Sequence, residues 1–123
     1  MSSYEDKIVE ILKKERISFV REKTFSDCRG GKYRFDFWLP ALNVLLEMDG
    51  EYHFKEIRGL SVLKRQKEHD RRKNSYCLAK SIPLYRIPYF DLNTIQTAAD
   101  LFKPQYLVKN KWHNDKILIK TTN

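Results

Sequence analysis

Arg34-Phe35-Asp36-Phe37-Trp38-Leu39-Pro40-Ala41-Leu42-Asn43-Val44-Leu45-Leu46-Glu47-Met48-Asp49-Gly50-Glu51-Tyr52-His53-Phe54 is the stretch that decides how this chain folds. It reads as two short apolar runs joined by a turn, each interrupted by carboxylates. Side chains alternate across a strand, so Tyr33, Phe35, Phe37 and Leu39 share one face and Arg34, Asp36 and Trp38 the other. Pro40 ends the first run. In the second run Val44, Leu46 and Met48 share one face, and Leu45, Glu47 and Asp49 the other. A turn over Pro40 to Asn43 pairs Leu39 with Val44 and carries Asp36 opposite Glu47. Directly opposed residues hold their Cβ atoms about 4.5–5.5 Å apart, and a one-residue slip would separate these two. Carboxylates that close repel each other, and an unpaired buried charge is costly, so such a pair invites a cation. Gly50 then permits a bend, and His53 follows it.

The flanking sequence supplies the rest of an α/β domain. Residues 3–16 predict an amphipathic helix with Ile8, Ile11 and Leu12 as its apolar stripe. Ser2 and Glu5 stand at capping-box spacing, so Glu5 reads either as a helix-end carboxylate or as a late member of the acidic cluster. Residues 17–25 predict a first strand, and Gly30-Gly31 a turn in which Arg29 and Lys32 stand beside the glycines. Residues 61–81 predict a long basic helix, with Leu63, Asp70, Asn74, Cys77 and Leu78 near one stripe. Asp70 and Lys73 then face the sheet, while Arg65, Arg71 and Arg72 face water or a polyanion. Leu84 to Pro88 predicts a fourth strand, parallel to the third because a helix of this length makes a crossover. Asp91 or Asn93 is expected to cap a last helix reaching Phe102, with Leu92, Ile95, Ala99 and Phe102 inward. The tail carries Lys109 and Lys111 beside Trp112, and 106–108 and 117–119 read as a small hairpin.

With 123 residues, 41% of them hydrophobic, the chain is expected to form one packed domain. We divide it into a core over 1–103 and a basic extension over 104–123. The net charge of +8 favours a polyanionic partner. Cys28 and Cys77 form no CxxC or Cys/His cluster, so a zinc site is not expected; a disulfide is possible but not demanded. No signal peptide is evident, and no apolar run approaches the roughly 20 residues that span a bilayer. A cytoplasmic protein with reduced thiols and no membrane partner is the expectation.

Hard oxygen donors on facing strands suit Mg²⁺ or Mn²⁺. Such an ion supplies what phosphodiester hydrolysis needs, a Lewis acid and a water of lowered pKa. Asp36 and Glu47 are the expected ligands, with Asp49 adjacent. His53 fits a general base or acid, and Lys73 a charge near the scissile phosphate. Taken singly, a strand carboxylate is usually a surface residue, a lone His a structural one and a basic helix a solvated face. Their coincidence within one short stretch favours a site.

Four blocks, Arg34-Phe35-Asp36-Phe37, Glu47-Met48-Asp49-Gly50-Glu51-Tyr52-His53, Asp70-Arg71-Arg72-Lys73-Asn74-Ser75-Tyr76-Cys77 and Pro83-Leu84-Tyr85-Arg86-Ile87-Pro88-Tyr89, resemble the restriction-endonuclease-like PD-(D/E)XK superfamily. The resemblance covers about residues 3–103 and is strongest near very-short-patch-repair endonucleases and phage EDxHD-type homing endonucleases. It implies an αβββαβ core with a mixed sheet flanked by helices, and Mg²⁺-dependent endonucleolytic cleavage of DNA that leaves a 3′-hydroxyl. It also implies Glu5 as an additional metal ligand. Asp36 and Glu47 match the acidic motif positions, but Asp49 stands where the superfamily has Lys. His53 or Lys73 would then take the cationic role, with Glu47, Asp49, His53 and Asp70 acting as a unit, or with Asp70 instead orienting His53 or Lys73. Arg65, Arg71, Arg72, Lys109 and Lys111 are the expected phosphate contacts. No nucleotide cofactor is implied. The substrate is either poorly specified in sequence or chosen by shape, such as a junction, flap or mismatch. One centre nicks; cutting both strands takes a homodimer or two successive nicks. The competing expectation is a nucleic-acid-binding module of the same fold without catalysis, and a further one is an RNA nuclease.

Overall fold

The computed structural model describes residues 3–53 and 59–116. Its elements run α1 (Ser3–Lys14), β1 (Val20–Lys23), β2 (Phe35–Leu39), β3 (Val44–Asp49), α2 (Leu60–Lys80) and β4 (Leu84–Pro88), followed by short 3₁₀ turns. The four strands form one mixed sheet in the order β1-β2-β3-β4. The β2–β3 hairpin is antiparallel with Leu39 opposite Val44, Trp38 opposite Leu45 and Phe37 opposite Leu46, the register expected from the turn. Asn43, at φ 53°, takes the left-handed position of that turn, which Asn tolerates better than most residues. β4 lies parallel to β3, as the α2 crossover requires.

Two apolar clusters hold the layers together. In one, Ile8, Ile11 and Leu12 of α1 pack on Phe37 and Leu39 of β2 and Val44, Leu46 and Met48 of β3. In the other, Leu45 of β3 and Leu84 of β4 meet Cys77 of α2, together with Phe35, Cys28 and Val108. Both cysteines are free and buried. No helix among the described residues is long and apolar enough to cross a membrane.

Several expectations are corrected. Phe35 leaves the face it was expected to share with Phe37 and packs with the second cluster. The β2–β3 ladder stops at Phe37, and beyond it the Met48 N–H donates to the Asp36 side chain at 2.7 Å. β1 is four residues long, with Ile17 and Phe19 packed as irregular chain before it. The expected last helix is two 3₁₀ turns, Tyr89–Thr94 and Ala98–Phe102. Thr97 and Asp100 form a capping box that starts the second turn afresh, and Ala98 and Leu101 point inward instead of Ala99. Leu78 is exposed on α2. The second strand of the expected tail hairpin and the Ser2 cap lie outside the described residues.

Residues 104–116 are packed onto the core. Val108 N–H donates to the Leu84 carbonyl at 2.9 Å, Leu107 bridges to Tyr85, and Tyr106 is buried. A 3₁₀ turn, His113–Lys116, then lies against α2.

Candidate active site

A cleft of about 890 Å³ opens between the β1–β2 connection, the ends of β2 and β3, and α2. Glu5, Asp36, Glu47, His53 and Lys73 all line it. Asp36 is half-buried at the point where the ladder ends, and Glu47 is buried on β3. The two carboxyls line the cleft side by side, each acting on the other's pKa. Burial first, and the Glu47 carboxylate second, push the Asp36 pKa up to about 9. Glu47 is held below its usual range, because Lys73 and Arg86 outweigh the effect of its burial. Lys73 pairs with Glu47 and donates a second bond to the Arg34 carbonyl at 2.5 Å. Its burial would lower its pKa, but Glu47 more than reverses this and raises it. Lys73 therefore stands as an ammonium at the carboxylate pair, reached from α2 rather than from β3.

Glu5 also reaches this cleft, through α1. It accepts from Arg21 Nη2 at 2.6 Å, so its charge is already shared with β1. Among the described residues, no three His, Cys, Asp or Glu side chains gather as a metal-binding group. The available donors are thus the two neighbouring carboxyls of Asp36 and Glu47 in the cleft lining. That set fits Mg²⁺ or Mn²⁺ better than a softer ion, because Mg²⁺ keeps several waters and takes one or two protein carboxylates.

Behind the cleft wall lies a second, fully buried polar cluster. Arg86 of β4 is 1% exposed and donates to Asp49 Oδ1 at 2.8 Å, Asn74 Oδ1 at 2.8 Å and the Asp70 carbonyl at 3.3 Å. Asp70 Oδ2 meets His53 Nδ1 at 3.0 Å and accepts from Asn114 Nδ2 at 2.9 Å. The same Asn114 nitrogen donates to Asp49 Oδ2 at 2.9 Å. Burial alone would raise Asp70, but Arg86 and His53 hold it well below the ordinary carboxylate range. Burial would lower His53, yet Asp49 and Asp70 raise it. Arg86 lies within 2.8 Å of Asp49 Oδ1 and 3.5 Å of Asp70 Oδ1, and His53 Nδ1 lies within 3.6 and 3.0 Å of the same two carboxyls, so both buried carboxyls have partners; burial still raises Asp49.

The structure thus sorts the expected residues into two layers. Asp36, Glu47, Lys73, His53 and Glu5 border the cleft. Asp49 and Asp70 sit behind it, where Asp49 pairs with Arg86 instead of bordering Asp36. Of the expected phosphate contacts, Arg72 borders this cleft and Arg71 and Lys111 border a neighbouring groove; Arg65 and Lys109 are exposed and border neither. Sequence reasoning missed Arg86 and Asn114. Arg86 had a signal, since a lone charge inside Leu84-Tyr85-Arg86-Ile87-Pro88 is the same anomaly that singled out Asp36 and Glu47. Asn114 had none, because nothing local distinguishes it from a surface turn residue. No protein-family model matches the chain, and no curated protein or solved structure matches it.

Proposed function

We propose that this chain is a divalent-metal-dependent DNA endonuclease on a restriction-endonuclease-like αβββαβ core. The observation that carries the reading is the contact between Asp36 and Glu47 in a cleft whose other walls are Lys73, His53 and several arginines. The element order and the parallel β3–β4 pairing support the same core. Asp36 and Glu47 would hold Mg²⁺ or Mn²⁺, which when bound supplies Lewis-acid stabilisation of the phosphorane charge and a water of lowered pKa.

The remaining roles belong to the chain itself. Lys73 presents an ammonium beside Glu47, where an anionic phosphate is otherwise repelled by the carboxylates. His53 is oriented through Nδ1 by Asp70, which fixes how its ring meets the cleft. It is the group placed to move a proton to or from the reacting oxygens. Arg29, Lys32, Arg34 and Arg72 line the rim and attract the DNA backbone without reading its bases.

One observation favours the non-catalytic alternative: Glu47 already has a cationic partner in Lys73. Calorimetric titration separates the two. The nuclease reading expects Mg²⁺ or Mn²⁺ to bind wild type and not Glu47→Ala, with DNA cleavage following binding. DNA binding without metal uptake or cleavage would favour the binding module.

A further inference from the structure

The cleft continues past its carboxylates. A groove of about 440 Å³ lies beside it, between α2 and the β1–β2 connection. Arg29, Tyr33 and Arg72 border both spaces, and Arg72 Nη1 donates to the Tyr33 hydroxyl at 2.9 Å, so the two form a saddle joining them. The Tyr33 ring stands 5.1 Å from that of His69, and Tyr76 forms part of the far wall. Beyond it, the charges of Arg71 and Lys111 lie 4.8 and 4.5 Å from the centre of the half-exposed Trp112 ring.

The charge balance of the groove is positive. Its two carboxylates are already matched, Asp27 by Lys80 at 2.7 Å and Glu68 by Arg72. Arg71 is matched by Asp115, but Arg29 and Lys111 make no ion pair among the described residues. Cations interleaved with aromatic rings along a continuous trough are the pattern that holds single-stranded nucleic acid, phosphates on the charges and bases on the rings. The dimensions select further. A space of this size takes about one or two nucleotides. A duplex, whose major groove alone is about 12 Å wide, does not enter it.

Resting on the nuclease reading, we propose that this groove receives a single-stranded extension of the DNA held in the cleft. The substrate is then a duplex carrying an overhang, flap or splayed arm, with the unpaired strand crossing the Tyr33–Arg72 saddle.

The test is fluorescence anisotropy in Ca²⁺ with three labelled duplexes of equal paired length: blunt, 5′-overhanging and 3′-overhanging. Wild type is expected to bind at least one overhanging duplex about tenfold more tightly than the blunt one. Lys111→Glu and Ser75→Trp, both at exposed positions bordering the groove, are expected to lose that preference while keeping the wild-type circular dichroism spectrum. Equal affinity of wild type for all three duplexes overturns the proposal, as does a preference that survives in both variants. Mg²⁺-dependent cleavage is scored separately. Cleavage without an overhang preference overturns the groove assignment alone, whereas a variant-sensitive preference without cleavage supports the groove and removes the nuclease reading.

Discussion

Asp36 carries the tension of this molecule at the scale of one residue. Its carboxyl is held against Glu47 with one backbone N–H for compensation, a poor arrangement for stability alone. With its pKa raised to about 9, the folded carboxyl holds a proton at pH 7 that the unfolded chain would release; the neutral isostere removes that cost and keeps an acceptor for the Met48 N–H. Asp36→Asn is therefore expected to raise stability in EDTA by about 0.5–2 kcal/mol while abolishing metal-dependent activity. Urea midpoints of the two proteins check this; a less stable variant would mean that the carboxylate serves the fold. Asp70 behaves oppositely. Its folded form stays ionised below the range in which an unfolded Asp takes up a proton, at about pH 3.9. The unfolded chain then binds more protons than the folded one, so the stability that Asp70 contributes is complete above that pH and lost as pH falls. Asp70→Asn leaves Arg86 and His53 short of a counter-charge and is expected to cost about 3–5 kcal/mol at pH 7. It should also flatten the loss of stability as pH falls below about 4, and both effects are readable in one series of urea titrations run from pH 7 downward.

At the scale of elements, the β2–β3 hairpin was legible in sequence down to its register. Pro40 and Asn43 fix the turn, and the Leu39–Val44 pairing follows. The α2 crossover and the parallel β4 were equally legible, because a helix between two short apolar runs admits few topologies. Phe35 was misplaced because alternation assumes an unbroken ladder, and this one stops at Phe37. The buried cluster was legible in part: the resemblance grouped Asp49, His53 and Asp70, but not Arg86 and Asn114. Asp49 and His53 share one stretch, but Asp70, Arg86 and Asn114 come from three others, and the pairing of Arg86 and Asn114 with them is set only by packing. The C-terminal turn illustrates the point: beyond Asn114, Lys67 reaches the Asn114 carbonyl at 3.4 Å, Asn74 donates to the Lys111 carbonyl at 3.1 Å and Arg71 bonds Asp115. Asn114→Ala is expected to cost about 1–3 kcal/mol, because it strands buried acceptors on Asp49 and Asp70. It should also loosen His53, visible as a changed imidazole nitrogen signal by NMR. A neutral effect on both would place the turn outside the site.

Over the whole molecule, the excess of positive charge is distributed unevenly in use. Arg72 borders the cleft and the groove, and Arg71 and Lys111 the groove, whereas Arg65 and Lys109 project from surfaces that border neither. Neutralising Lys111 is expected to weaken DNA binding and to reduce the salt slope by about one counterion, and neutralising Arg65 to leave both nearly unchanged. Equal effects at the two positions would show that DNA is held by net charge rather than by this face.

The most direct measurement of the central claim is conversion of supercoiled plasmid by wild type and Glu47→Ala, each in Mg²⁺ and in EDTA. Wild type is expected to nick the plasmid in Mg²⁺ and to stop in EDTA, and Glu47→Ala to lose more than about 100-fold in rate. Equal conversion by the two proteins, or none by wild type at any divalent-ion concentration, would contradict a metal-dependent nuclease centred on Asp36 and Glu47.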